Sequence, residues 1–518
     1  MKKITYLLTI FFLISSCEKT DITAPNIIYI LADDMGYGDV SALNEDSKIK
    51  TPNIDRIAHE GMIFSDAHTN SSVCTPTRYG ILTGRYAWRT HLKNGVLQGH
   101  SEHLIDMERE TVASLLKSKG YSTAVVGKWH LGMDWTSIDG DEVHAPTGKN
   151  VDFSVPVKNG PLDLGFDYYF GISASLNMIP HAFIENRKVV GELEYLDNSK
   201  ALKDKGLSGK IGWWNKDYKQ DQVLINLAEK AVKWIVDQIK RDPGKPFFLY
   251  MPLSAPHAPI VPSNEYIDRS GIGSYGDYCM EVDWVVGRIL EKLEKQGVAD
   301  NTLVIFTADN GCSPQAKFEH LQEQGHYPSY IYRGLKGSLY EGGHRVPFFC
   351  RWPEKIEKGT NSDLTICTTD LLATLADIMN IDLDTNTGED SFSFLEAFSG
   401  KDPLWKEDRG VVHHSDAGIF AIRQGKWKLI FNESGGTRRK NPKSVPVINP
   451  ADIQLFDMEN DPSELVNVQH QHPDVVKRLK DLMEKYINEG RSTEGEKVEN
   501  DPNRKWTQLE TLEIPGQN

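Results

Sequence analysis

The stretch Cys74-Thr75-Pro76-Thr77-Arg78, continued by Leu82-Thr83-Gly84, sets a thiol and a guanidinium one helical turn apart. Pro76 suits the first turn of a helix, which puts Cys74 at a helix N-terminus, where unpaired N–H groups favour an anion or a polarised nucleophile. Arg78, four residues on, faces the same point. Cys-Thr-Pro alone would read more simply as a buried cysteine before a helix, and Arg78 is what weakens that reading. Two further segments, Asp33-Asp34 and Asp309-Asn310-Gly311, offer four side chains with hard oxygen ligands. Each alone is first a turn. Jointly, and with the Cys74 segment, they suit calcium or magnesium better than zinc, because no His or Cys is interleaved among them.

The elements that must position these groups are legible as periodicities. Short apolar runs at 27–32, 123–126, 247–251 and 303–307 alternate with helical patterns such as Leu224, Leu227, Ala231, Val232, Ile235, Ile239 and Val282, Val285, Ile289, Leu293. Near-continuous strands separated by helices imply a mostly parallel sheet covered on both faces. Asp33-Asp34 follow the first run, Gly127-Lys128-Trp129-His130 the second, Pro256-His257 the third and Asp309-Asn310-Gly311 the fourth. Ligands of open α/β sheets bind beyond the carboxyl ends of the strands, so four remote segments deliver polar groups to one edge. After about residue 400 the pattern changes. Runs at 419–422 and 427–430 read as strands joined at Gln424-Gly425, a Gly- and basic-rich loop spans 434–443, 454–457 is another strand, and Pro473 opens a helix with the stripe Val475, Leu479, Leu482, Met483, Tyr486. The expectation is an α/β catalytic domain over 25–400, a smaller α+β subdomain over 401–491 and a polar, irregular tail over 492–518.

The Cys-x-Pro-x-Arg and Thr-Gly pattern at 74–84 resembles the type I sulfatases of the alkaline-phosphatase superfamily, with Thr77 where Ser is commonest. The resemblance runs from Pro25-Asn26 into the C-terminal subdomain, with its blocks in family order. It implies an alkaline-phosphatase-like fold and a sulfuric ester hydrolase whose Cys74 is oxidised to formylglycine by a maturation enzyme. It also implies calcium held by Asp33, Asp34, Asp309 and Asn310, with residue 74 completing the shell. A sulfate ester needs positive charge on its oxygens and an acid for the leaving alkoxide. Singly, a Lys or His after a strand is an ordinary structural residue. By resemblance Lys128, in Gly127-Lys128-Trp129-His130-Leu131-Gly132, orients nucleophile and substrate, and His130 is the base that collapses the covalent intermediate. His257, in Pro256-His257-Ala258-Pro259, is a general acid. Lys336, in 335–343, is the sulfate-binding lysine, and Ser175, with Ser173 as its rival, touches the sulfate pocket. The implied mechanism is a two-step displacement in which the hydrated aldehyde attacks sulfur, helped by Asp309, and is then regenerated.

Composition is consistent with this. A net charge of −15 on 518 residues, with no long Lys/Arg run, argues against nucleic acid as a partner and requires local positive groups to hold an anionic substrate. Lys2-Lys3, an apolar run at 4–14 and Ile14-Ser15-Ser16-Cys17 resemble a bacterial lipoprotein signal over 1–16. That predicts a lipid on Cys17, a tether over 17–24 and a cell-envelope location, with the lipid as the only membrane contact. The five remaining cysteines, an odd and scattered set, form neither a disulfide framework nor a zinc motif. A formylglycine-dependent phosphonate or phosphate ester hydrolase, and a glycan-binding lipoprotein with a dead site, are the alternatives. Two-metal phosphatases place histidines among their ligands, which Asp309-Asn310 does not match. The expected substrate class is a sulfated carbohydrate, an algal polysaccharide-derived oligosaccharide first, with glycosaminoglycans also fitting, and sugar contacts are sought at 173–184 (Asn177, His181) and 319–333 (His326, Tyr327, Tyr330, Arg333).

Overall fold

The computed structural model describes residues 24–144, 146–197, 211–438 and 447–501. Cys17 and the signal lie outside them. A ten-stranded sheet runs in the order Thr360–Ser362, Met62–Phe64, Phe348–Arg351, Thr302–Ala308, Asn26–Ala32, Phe247–Pro252, Ser122–Lys128, Tyr168–Ile172, Ile184–Glu185, Lys188–Val189. Its five central strands, from Thr302–Ala308 to Tyr168–Ile172, pair in parallel. Phe348–Arg351 and Ile184–Glu185 flank them antiparallel, so the sheet is mixed.

Asn26–Ala32 shows why the centre is apolar at every position. Ile28, Ile30 and Ala32 enter one hydrophobic core, while Ile27, Tyr29 and Leu31 enter the other. Successive side chains of a strand point to opposite faces, so a strand covered on both sides needs an unbroken apolar run. The helices Pro52–His59, Val223–Arg241 and Ser274–Lys295 cover the first face, and Cys74–Thr83, Val112–Ser118 and Leu371–Ile378 the second.

A separate antiparallel sheet of Val411–His414, Phe420–Gln424, Trp427–Ile430 and Gln454–Asp457 carries the helix Pro473–Glu489 through Leu479 and Met483. The molecule is thus α/β with a smaller C-terminal α+β unit. Three details differ from the sequence reading. Ser122–Lys128 extends through Lys128, because parallel pairing continues to Lys128 opposite Ile172. Val411–His414 is an additional strand. The described part of the tail, 492–501, is irregular but docked, with 502–518 outside the described residues: Ser492 Oγ donates to Asp390 Oδ1 at 2.9 Å and Asp501 N–H to Arg89 O at 2.8 Å. Among the described residues no helix is long and apolar enough to cross a membrane. The five described cysteines are buried and free.

Candidate active site

Cys74 is the first residue of a ten-residue helix that is buried throughout. The approach to it is stitched by side chains. Thr77 Oγ1 donates to Ser71 O at 2.9 Å and Asn70 Nδ2 to Pro76 O at 2.9 Å. The hydroxyl at position 77 therefore fixes the turn that presents Cys74, which explains why Thr serves there as well as Ser. Gly80 is required by close approach: a Cβ would lie 2.5 Å from Asn70 Oδ1.

The four strand-end segments converge on this helix. Cys74 Sγ lies 3.4 Å from Lys336 Nζ and 3.7 Å from Asp33 Oδ1. Lys128 Nζ donates to Asp33 Oδ2 at 2.7 Å. Arg78 donates from Nε and Nη2 to Asp309 Oδ2 at 3.1 and 2.7 Å and from Nη1 to Lys128 O at 3.0 Å. Asp309 Oδ1 accepts the Asp34 backbone N–H at 3.1 Å, and Asp34 Oδ1 accepts from Asn310 Nδ2 at 2.8 Å and from Lys336 Nζ. His257 Nε2 lies 3.7 Å from Asp34 Oδ2. Asp34 itself has φ 69°, a left-handed conformation that Asp tolerates better than most residues.

Charge sets the protonation of these groups. Burial pushes the Cys74 thiol up, but Lys128 and Lys336 outweigh it and bring it down to about 6. Burial raises Asp33 too, yet Lys128, His257 and Arg78 hold it well below the usual carboxylate range. Burial lowers His257, and Asp34 and Asp33 raise it to a net upward shift. His130 is pushed well down by burial and by the like charges of Lys128 and Arg78, so it is neutral. Its Nε2–H donates to Leu97 O at 2.9 Å, leaving buried Nδ1 without a partner.

The donor set fits a hard cation. Asp33, Asp34, Cys74 and His257 place ligand atoms within 4.8 Å of one another. Asp34 Oδ2 and Asn310 Oδ1 are buried with no hydrogen-bond partner, as expected of atoms that await an ion. Asp33, Asp34 and Asn310 bring oxygen donors to the cluster, the kind that calcium and magnesium take.

Two expected participants stand apart from this hydrogen-bonded cluster. His130 bonds to Leu97 rather than to Cys74, and Ser175 Oγ is buried without a partner among the described residues. Of the expected sugar contacts, His326 is fully buried with Nε2 2.8 Å from Asp39 Oδ1, and His181 stacks on Trp214 at 3.6 Å. Arg333 donates to Glu464 O at 3.1 Å, and Tyr327 and Tyr330 are exposed. His326 is therefore structural. With Asp39 and Tyr275, whose hydroxyl donates to Asp34 O at 3.2 Å, it supports the strained Asp34 turn. Nothing local in the sequence marks this group, since its members come from three distant segments.

The sulfatase family profile matches residues 25–381, and the profile of the N-sulphoglucosamine sulphohydrolase C-terminal region matches 335–489. The chain belongs to the sulfatase family. A Bacteroides thetaiotaomicron N-acetylgalactosamine-6-O-sulfatase is 36% identical over 506 residues, covering 89% of this chain and 92% of its own. Human arylsulfatase A is 31% identical over 487 residues, covering 88% and 87%. A solved structure from the metabolism of multiple glycosaminoglycans by Bacteroides thetaiotaomicron superposes with a TM-score of 0.76 at 33% identity, covering 89% of this chain and 99% of that one. The sulfatase chain is accordingly a sulfuric ester hydrolase with an alkaline-phosphatase-like fold.

Proposed function

We propose that this sulfatase removes sulfate from a sulfated carbohydrate, with a 6-O-sulfated N-acetylhexosamine as the best-supported unit. Its 36%-identical relative acts on N-acetylgalactosamine 6-sulfate, which favours a glycosaminoglycan-type sugar over an algal one. The observation that carries the reading is the ring of Asp33, Lys128, Lys336 and Arg78 around residue 74. Oxidised to formylglycine, residue 74 would supply a hydrated aldehyde as nucleophile, and calcium, which Asp33, Asp34, Asp309 and Asn310 would hold, would supply Lewis-acid polarisation. The rest falls to the chain's own groups. Three carboxylates, Asp33, Asp34 and Asp309, face three bases, Arg78, Lys128 and Lys336, so a dication leaves the site net positive toward an anionic ester. Lys128 and Lys336 hold sulfate oxygens, His257 Nε2 gives its proton to the leaving oxygen, and the free Nδ1 of His130 accepts a proton as sulfate departs.

Cys17 carries the lipid that tethers the enzyme in the cell envelope, and a formylglycine-generating enzyme is its maturation partner. The decisive assay is sulfate release from defined sulfated oligosaccharides by protein matured in a formylglycine-competent host. Turnover is expected on 6-O-sulfated N-acetylgalactosamine, and Cys74→Ala should lower it by about 10⁴-fold or more. Equal turnover by Cys74→Ala would reject the nucleophile assignment.

A further inference from the structure

The short helix Glu341–His344 joins three site-bearing segments. It follows directly on the loop that carries Lys336. Gly343 O accepts the N–H of Gly311, the neighbour of Asn310, at 3.0 Å, and His344 O accepts Thr69 N–H at 2.8 Å on the approach to Cys74. Contact with Gly311 is tight, since a Cβ there would lie 1.9 Å from Gly342 O. Any shift of this helix is therefore passed to Asn310, to Lys336 and to the nucleophile segment.

A side chain from the C-terminal sheet holds it in place. Lys428, on Trp427–Ile430, is fully buried, and its ammonium lies 2.9 Å from Glu341 Oε1, 2.7 Å from Glu464 Oε1 and 2.9 Å from His344 Nε2. Glu464 Oε2 accepts the Glu341 backbone N–H at 2.7 Å. The same sheet clasps the site by its backbone. His414 exchanges bonds with Asn70 O at 3.2 Å and Ser72 N at 3.1 Å, and Gly337, next to Lys336, is held between Ser72 O at 2.9 Å and Asp416 N at 3.2 Å. The nearby trio His68, His344 and His413 has metal-ligand spacing. Two of its rings, however, abut the Lys428 ammonium at 2.9 Å and the Arg423 guanidinium at 3.2 Å, so it belongs to this ion-pair network.

We propose that Lys428 is a positioning residue for the sulfatase reaction: by fixing Glu341 and His344 it sets Lys336 and Asn310 against residue 74. The C-terminal unit is then part of the catalytic apparatus without touching substrate. Breaking a buried pair strands its partner's charge, so loss of Lys428 leaves Glu464 uncompensated, leaves Glu341 to Arg345 at 3.0 Å and Arg423 at 3.6 Å on its other oxygen, and displaces the helix that Lys428 holds. The proposal rests on the reading of Lys336 as a sulfate-binding lysine.

The test compares matured full-length wild type, Lys428→Met, Lys428→Arg, Lys336→Met and Leu479→Ala, the last a core residue of the helix Pro473–Glu489. All are assayed below their unfolding transitions. Lys428→Met should lower kcat/KM by about tenfold to a hundredfold, the cost of a small misplacement, and weaken inhibition by inorganic sulfate. Lys428→Arg should restore most of both. Leu479→Ala should lose melting temperature with neither change. Should Lys428→Met fail to fold, Glu464→Gln keeps an acceptor for the Glu341 N–H while removing the charge that faces Lys428. Kinetics and sulfate inhibition for Lys428→Met, or for Glu464→Gln in its place, indistinguishable from Leu479→Ala would overturn the proposal. An undiminished Lys336→Met would instead remove the reading of Lys336 on which it stands.

Discussion

Arg78 ties Asp309 to the helix that opens on Cys74. Its guanidinium is fully buried and spends three N–H groups on Asp309 and the Lys128 carbonyl. Breaking such a pair from one side costs more than the pair contributes, because a buried carboxylate is left without compensation. Arg78→Met should therefore destabilise the fold by about 3–5 kcal/mol in urea denaturation, besides abolishing turnover. A loss within the scatter of surface substitutions would show that Asp309 is satisfied by other means. At this scale the sequence was informative where chemistry is local. Cys74, Pro76 and Arg78 sit within one turn, and Asp33-Asp34 and Asp309-Asn310 end apolar runs. It was silent where partners are remote. Asp39, Tyr275 and His326, which brace Asp34, are separated by more than 230 and then 50 positions and carry no shared spacing.

Among the elements, the central strands were readable because burial on both faces demands unbroken apolar runs. Their ends were not, since pairing with a neighbour, as at Lys128 and Ile172, extends a strand past its apolar residues. The helix Ser274–Lys295 shows a second limit: Glu281 interrupts its apolar pattern yet is fully buried, with Oε2 accepting Ser263 N–H at 2.9 Å. Burial pushes its carboxyl up to about 7. The native state thus holds a proton between the ordinary carboxylate value of about 4.3 and about 7, where the unfolded chain has released it, so stability falls as pH rises across that window. Glu281→Gln should flatten this slope in urea titrations at stepped pH and gain on wild type toward neutrality. A wild-type stability that rises through the same range, with the variant parallel to it, would contradict the assignment.

For the molecule as a whole, the sequence foretold two units but not how they interlock, because the bonds between them link segments hundreds of residues apart. On the proposed reading, attachment to the envelope would be a property of the chain's first residues. Cys17→Ala should abolish incorporation of labelled fatty acid and release the enzyme from the membrane fraction while leaving kcat/KM unchanged; retention in that fraction would require another anchor. The pairing of His414 with Asn70 and Ser72 spans some 340 positions of chain. At about 5–20 residues per second, synthesis takes roughly 20–70 s to travel that distance. Throughout that interval the cysteine side chain remains reachable, because the strand that closes over its approach has yet to be made. On the proposed maturation of residue 74, an oxidising enzyme would have a timed opportunity, and a copy that folded before being visited would keep its thiol.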